Sequence, residues 1–139
     1  VILGVASSAI VLAVGHLVYD VQPPDNAAGV IAWYATGLLC YVALGGALGL
    51  LAPSARAASA IGNLLFLPTF LLAGGGPPRD VMTGAMRDVA DLIPLSHITG
   101  GLRQEWLGAT DAEITVWWPP AVCLAAVALA VWIARRRAD

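Results

Sequence analysis

The chain has 139 residues, of which 59% are hydrophobic and 12% charged, with a formal net charge of −2 and a mean hydropathy of +0.80. Those values exclude an ordinary soluble domain, and 7 cations against 9 anions leave no basic patch for nucleic acid. The solvent of this chain is the bilayer.

Four uncharged runs stand out in chain order: residues 1–19, 29–52, 57–78 and 114–134. Each is close to the roughly 20 residues that a helix rising about 1.5 Å per residue needs to cross a 30 Å hydrocarbon layer. They predict four transmembrane helices, at about 1–19, 29–52, 57–76 and 116–134. The first run starts at Val1 with no methionine and no basic flank, which argues against a signal peptide and predicts that the N-terminus has been cut away. His16, one turn from the end of that run, can snorkel to the interface.

In the second run Gly45 and Gly49 form a small-xxx-small spacing that admits a close helix neighbour. Cys40 lies mid-run there and Cys123 mid-run in the fourth, so each is expected to pack as a small hydrophobe, with no disulfide between them. The turn 53–57 carries Ser54 and Arg56, and Asn63 is a strongly polar side chain at membrane depth, expected to face protein or water. Pro68 deletes an internal hydrogen bond to the carbonyl near Leu64, which predicts a kink and a candidate hinge beside Thr69. The third run then breaks at Gly74-Gly75-Gly76-Pro77-Pro78.

Residues 79–107 read as two short amphipathic pieces joined at Pro94. In the first, Met82, Met86, Val89 and Ile93 recur at helical spacing, with Arg87, Asp88 and Asp91 between them, a pattern for lying in the interface. In the second, Pro94 can open a helix that carries His97, Thr99, Gly101 and Arg103. Together they predict a re-entrant hairpin, with the Gly100-Gly101 pair packed against the third and fourth transmembrane helices because its backbone needs partners. Pro119-Pro120 then occupy the first turn of the fourth helix, where missing donors cost little.

Arginine beside a membrane helix favours the cytoplasmic side. Arg56 and the tail Arg135-Arg136-Arg137 fall on one face after four crossings, which predicts a cytoplasmic C-terminus and places the hairpin outside. Tyr19, Trp33, Tyr34, Trp117 and Trp118 then belong to the outer interface. Neither HExxH nor GxSxG is present, and the few His and Cys residues have no metal-ligand spacing, so no catalytic, cofactor or metal site is expected.

The run Asn63-Leu64-Leu65-Phe66-Leu67-Pro68, the Gly/Pro break, the amphipathic helix, then Ile93-Pro94-Leu95-Ser96-His97 and Gly101-Leu102-Arg103 resemble the last third of the permease subunit of ABC type 2 exporters. The resemblance implies an all-α polytopic membrane helix bundle: helices three to six of a six-helix pattern, with a re-entrant element on the outer side. Residues 1–139 would be one partial transmembrane domain. It further implies a non-enzymatic, multi-pass permease in the inner (plasma) membrane, paired as a homo- or heterodimer with a second permease subunit; separately, the absence of lysine and the abundance of Ala, Gly and Arg point to a GC-rich bacterial genome. A cytoplasmic ATP-binding-cassette ATPase subunit would drive the permease and hold the ATP, since no GxxxxGK[ST] loop is present here. On that reading Asn63, Pro68 and Thr69 belong to the substrate path or its hinge. Pro94, His97, Gly101 and Arg103 form the outer re-entrant element, and Ser54 and Arg56 a cytoplasmic coupling turn. The competing reading is a self-contained four-helix scaffold or assembly protein without transport activity, ahead of a polytopic membrane enzyme.

Overall fold

A computed structural model describes residues 2–75, 81–108 and 115–138. The described residues are helical wherever they are regular: α1 (Ile2–Tyr19), α2 (Ala27–Leu51), α3 (Ala55–Phe70) with a π-helical turn Leu71–Gly75, α4 (Gly84–Leu92), α5 (Pro94–Leu107) and α6 (Trp118–Ala138). Four helices, Ile2–Tyr19, Ala27–Leu51, Ala55–Ala73 and Trp118–Arg136, are long and apolar enough to cross a membrane. Residues 76–80, which complete the predicted Gly/Pro break and open the amphipathic segment, lie outside the described residues, as do Asp111 and Glu113.

Local chemistry explains the helix ends. Asn26, Ser54 and Thr83 start α2, α3 and α4 by accepting hydrogen bonds from the N–H groups of Gly29 (3.2 Å), Ala57 (3.2 Å) and Met86 (3.4 Å). Pro94 occupies the first turn of α5, and Gly108 ends it in the left-handed region with φ 64°. Because Ser54 is the cap, Arg56 sits in the first turn of α3 rather than in a loop, and Gly84 likewise opens α4.

Pro68 does not end its helix. α3 continues to Phe70 and then widens into the π-helical turn. The proline removes one donor from the ladder, and the Thr69 hydroxyl donates back to the Leu65 carbonyl at 2.6 Å, a bond that bends helices. The distortion is spread over a turn and a half instead of breaking the chain.

α1 runs antiparallel to α2, with Ser8 Oγ 2.9 Å from Tyr34 Oη and Gly4 opposite Leu38, but none of its residues is buried. α3 is antiparallel to α2 along Gly62 and Leu48. α2 and α6 are parallel and form the main contact of the bundle: Cys40 meets Cys123, and further along both helices Leu44 and Leu48 face the same space as Ala126 and Leu129. The last turns of α2 and α6 and the first of α3 therefore share one end, which carries Arg56, Arg135 and Arg136, the last stacked 3.9 Å over the Trp132 ring.

Two expectations are corrected here. Cys40 and Cys123 are not separate packed thiols but a disulfide with a Cα–Cα distance of 5.4 Å. The parallel pairing of α2 and α6 brings residues 83 apart in sequence to one level, which linear spacing does not reveal. The Gly45 and Gly49 spacing meets no close helix among the described residues, since a Cβ at either position would have nothing within 4 Å.

Candidate functional site

α5 lies antiparallel along the first half of α2, and glycines let it do so. A Cβ on Gly37 would stand 2.8 Å from Ile98 Cγ2, and one on Gly101 would overlap the fused bond of the Trp33 indole. The C-terminal end of α5 is tied to the start of α2 by three bonds. Asn26 Nδ2 donates to Glu105 Oε2 at 2.7 Å, while the Asn26 and Asp25 backbone N–H groups donate to the Glu105 and Trp106 carbonyls at 3.0 and 3.3 Å. Glu105 thereby sets a carboxylate at the positive end of α2.

At its other end α5 reaches Tyr41, whose hydroxyl hydrogen bonds with the Leu95 backbone. Tyr41 lies 14 residues into the 25-residue α2, about 21 Å along its axis. The turn at Ile93 between α4 and α5 therefore lies opposite the middle of α2.

Helix ends at such depth need partners from the protein. Ile93 gives α5 no side-chain cap, and Tyr41 serves the Leu95 backbone from α2 instead. The Trp118 indole N–H donates to the Leu92 carbonyl at the end of α4 (3.1 Å). The Thr99 hydroxyl donates to the Ala73 carbonyl in the π-helical turn (2.6 Å), joining the hairpin to α3. His97, 7% exposed, stands 2.8 Å by Nε2 from the Asp91 carbonyl and receives the Thr115 N–H on Nδ1 at 3.3 Å. A carbonyl only accepts and an amide N–H only donates, so the ring carries its proton on Nε2. One imidazole thus ties α4, α5 and the approach to α6.

Beneath the hairpin turn lies a cavity of about 700 Å³. Its walls are α2 (Tyr41, Leu44, Leu48), α3 (Leu65, Phe66, Thr69) and α6 (Ala126, Leu129), and its roof is residues 92–95. The lining is apolar, and the cavity opens sideways where Leu65, Phe66 and Leu129 remain 55%, 61% and 53% exposed.

Of the residues expected on a substrate path, only Thr69 lines this cavity; Asn63 and Pro68 are exposed on other parts of α3. Pro94 sits at the roof, His97 is the buried tie, Gly101 is buried against Trp33, and Arg103 is exposed on α5. Ser54 and Arg56 stand together at the arginine-bearing end, exposed. The hairpin touches the π-helical turn at the end of α3 and α6 as well as α2, and Gly101 itself packs on Trp33 of α2. Trp33 and Trp118, expected at the interface, contact the hairpin. Sequence reasoning missed Tyr41, Asn26 and Glu105. A tyrosine in mid-span was the available signal, since its hydroxyl needs a partner at depth.

These features define a polytopic helical membrane protein in which a capped re-entrant hairpin roofs an apolar cavity. Residues 1–105 match the family model described as ABC-2 type transporter. The chain belongs to that family and is a membrane transport permease, not itself a catalyst. No curated protein and no solved structure matches it.

Proposed function

We propose that this chain is the membrane-spanning subunit of an ABC type 2 exporter, forming part of the substrate path and driven by a separate ATP-binding-cassette ATPase subunit. The observation that carries the reading is the family match over residues 1–105. The absence of a GxxxxGK[ST] loop in the 139 residues supports placing ATP in the partner. A second permease subunit, identical or different, completes the path in alternating access. The arginine-bearing end faces the cytoplasm in this reading, with the protein in the inner (plasma) membrane. The turn at Ser54 and Arg56 there receives the ATPase. Thr69 lines the path and Pro68 serves as its hinge on α3, where the proline and the π-helical turn give the helix an adjustable joint. Pro94, His97, Gly101 and Arg103 form the outer gate element.

Affinity purification of the intact protein from its native membrane tests this. It should bring down an ATPase bearing the phosphate loop, and Arg56→Glu should lower ATP hydrolysis by the reconstituted complex severalfold with assembly unchanged. Isolation of a stable assembly without any ATPase would overturn the permease reading and favour the scaffold. Undiminished hydrolysis in the variant would remove the turn from coupling.

A further inference from the structure

Pro77-Pro78 follow the π-helical turn closely enough to decide how its carbonyls are served. The Ala73 carbonyl would accept from residue 77 in an α-helical register and from residue 78 in a π-helical one, and neither proline has an N–H. A stranded acceptor at the end of a membrane span needs a donor from elsewhere in the protein. The Thr99 hydroxyl is that donor, at 2.6 Å. It also stands 3.0 and 3.2 Å from the Leu95 and Ser96 carbonyls, but the ladder of α5 itself serves those, so its single proton is needed at Ala73.

The turn is packed as it is bonded. Ala73 is buried, as are Met82 just before α4 and Ala90 within it, and the turn touches both α4 and α5. On the other side of Pro68 the packing changes. No residue of α3 is buried, and the helix meets α2 along Gly62 and Leu48. Pro68 removes a bond from the helical ladder close to where this change falls.

We propose that Thr99 caps α3 from the hairpin and makes the π-helical turn part of the hairpin body, so that α3 up to Leu67 swings about Pro68 against a turn that stays in place. As a statement about what moves during transport, this rests on the permease reading above; as a statement about where the joint lies, it does not.

The test uses the intact complex in lipid vesicles, with pairs of nitroxide labels on introduced cysteines attached without reductant so that Cys40 and Cys123 stay bonded. Pulsed electron resonance then gives the distance distribution of each pair. Leu64, Leu71 and Val89 are exposed and accept labels. From Val89 on α4, the distance to Leu71 should be narrowly distributed and that to Leu64 broadly. Thr99→Val keeps the branched side chain without its donor. It should raise the share of displaced Leu71–Val89 distances about tenfold, the ratio expected when a buried acceptor loses its hydrogen bond. Thr99→Ser keeps the donor and should retain the narrow distribution. A pair at Val42 and Arg103, both exposed, reports the seat of α5 on α2. It should stay unchanged in Thr99→Val, which separates a lost cap from general loosening. Pro68→Ala returns the missing N–H and should narrow the Leu64–Val89 distribution alone, a readout that stands even where Thr99→Val fails to assemble. A Leu71–Val89 distribution as broad as that of Leu64–Val89, or one indifferent to Thr99→Val, or no narrowing in Pro68→Ala, would overturn the proposal. ATP added to the same vesicles keeps the two readings apart. Leu64–Val89 distances that ignore ATP while every pair otherwise behaves as stated remove the exporter and keep the joint, whereas ATP-driven turnover with Leu64 and Leu71 moving together does the reverse.

Discussion

Replacing Gly101 by alanine adds one methyl group where the structure has no room for it. The new Cβ would overlap Trp33 Cε2 and Cδ2 and stand 2.7 Å from Cζ2. Ordinary carbon contacts lie at about 3.5 to 4.0 Å, so one surface must retreat by about 1 Å. The atoms met are the fused bond of a rigid bicycle, not the end of a flexible chain, and they face α5 from the middle of its seat on α2. Separation of the helices is then the available response, and it also loosens Ile98 against Gly37. Overpacking of this kind costs about 1 to 3 kcal/mol, which is about a 5- to 140-fold rise in the open population of the hairpin. Amide hydrogen exchange of the complex, followed on peptides covering residues 94–107, reads that ratio directly. Gly84→Ala is the matched control: nothing lies within 4 Å of its Cβ, and alanine favours the first turn of α4. It should leave exchange unchanged or slower. In a double-mutant cycle with Trp33→Ala, the two substitutions should couple by about 1 kcal/mol or more, because the smaller side chain makes room for the methyl. Unchanged exchange in Gly101→Ala, or the same acceleration in Gly84→Ala, would refute the close packing of α5 on α2.

Three further outcomes are expected. Thr99→Ala strips a donor from the Ala73 carbonyl and should destabilise the hairpin by about 1 to 3 kcal/mol; Ser96→Ala removes a buried hydroxyl that has no hydrogen-bond partner and should be neutral or stabilising in the same exchange assay. Denatured under alkylating reagent without reductant, the protein should gain no label, and two labels after reduction; labelling of both cysteines without reductant would contradict the Cys40–Cys123 bond. Single cysteines at Asp25 and Ala55, both exposed and at opposite ends of the bundle, should react with an impermeant thiol reagent from outside and only after permeabilisation, respectively. The reverse pattern would invert the orientation.

The sequence by itself determined the number of spans and their approximate ends. Whether some twenty residues enter a bilayer depends on their own transfer free energy, a sum that composition supplies. The helix start at Pro94 and the amphipathic spacing in α4 are likewise local and were read; the caps at Asn26, Ser54 and Thr83 are as local but were not. Tertiary structure decided which faces meet. In water an apolar stripe points to the core, but in lipid the surroundings are as apolar as the neighbouring helix, and hydropathy carries no such direction. Steric fit and hydrogen bonding decide instead, and both are properties of pairs. Gly37 and Gly101 matter because Ile98 and Trp33 stand opposite, whereas Gly45, Gly46 and Gly49 have the same small side and no partner within 4 Å. The same holds for Cys40 with Cys123 and for Tyr41 with the Leu95 backbone, none of which is near in sequence. The cavity is the extreme case, since it is the space between four elements and no single segment encodes it.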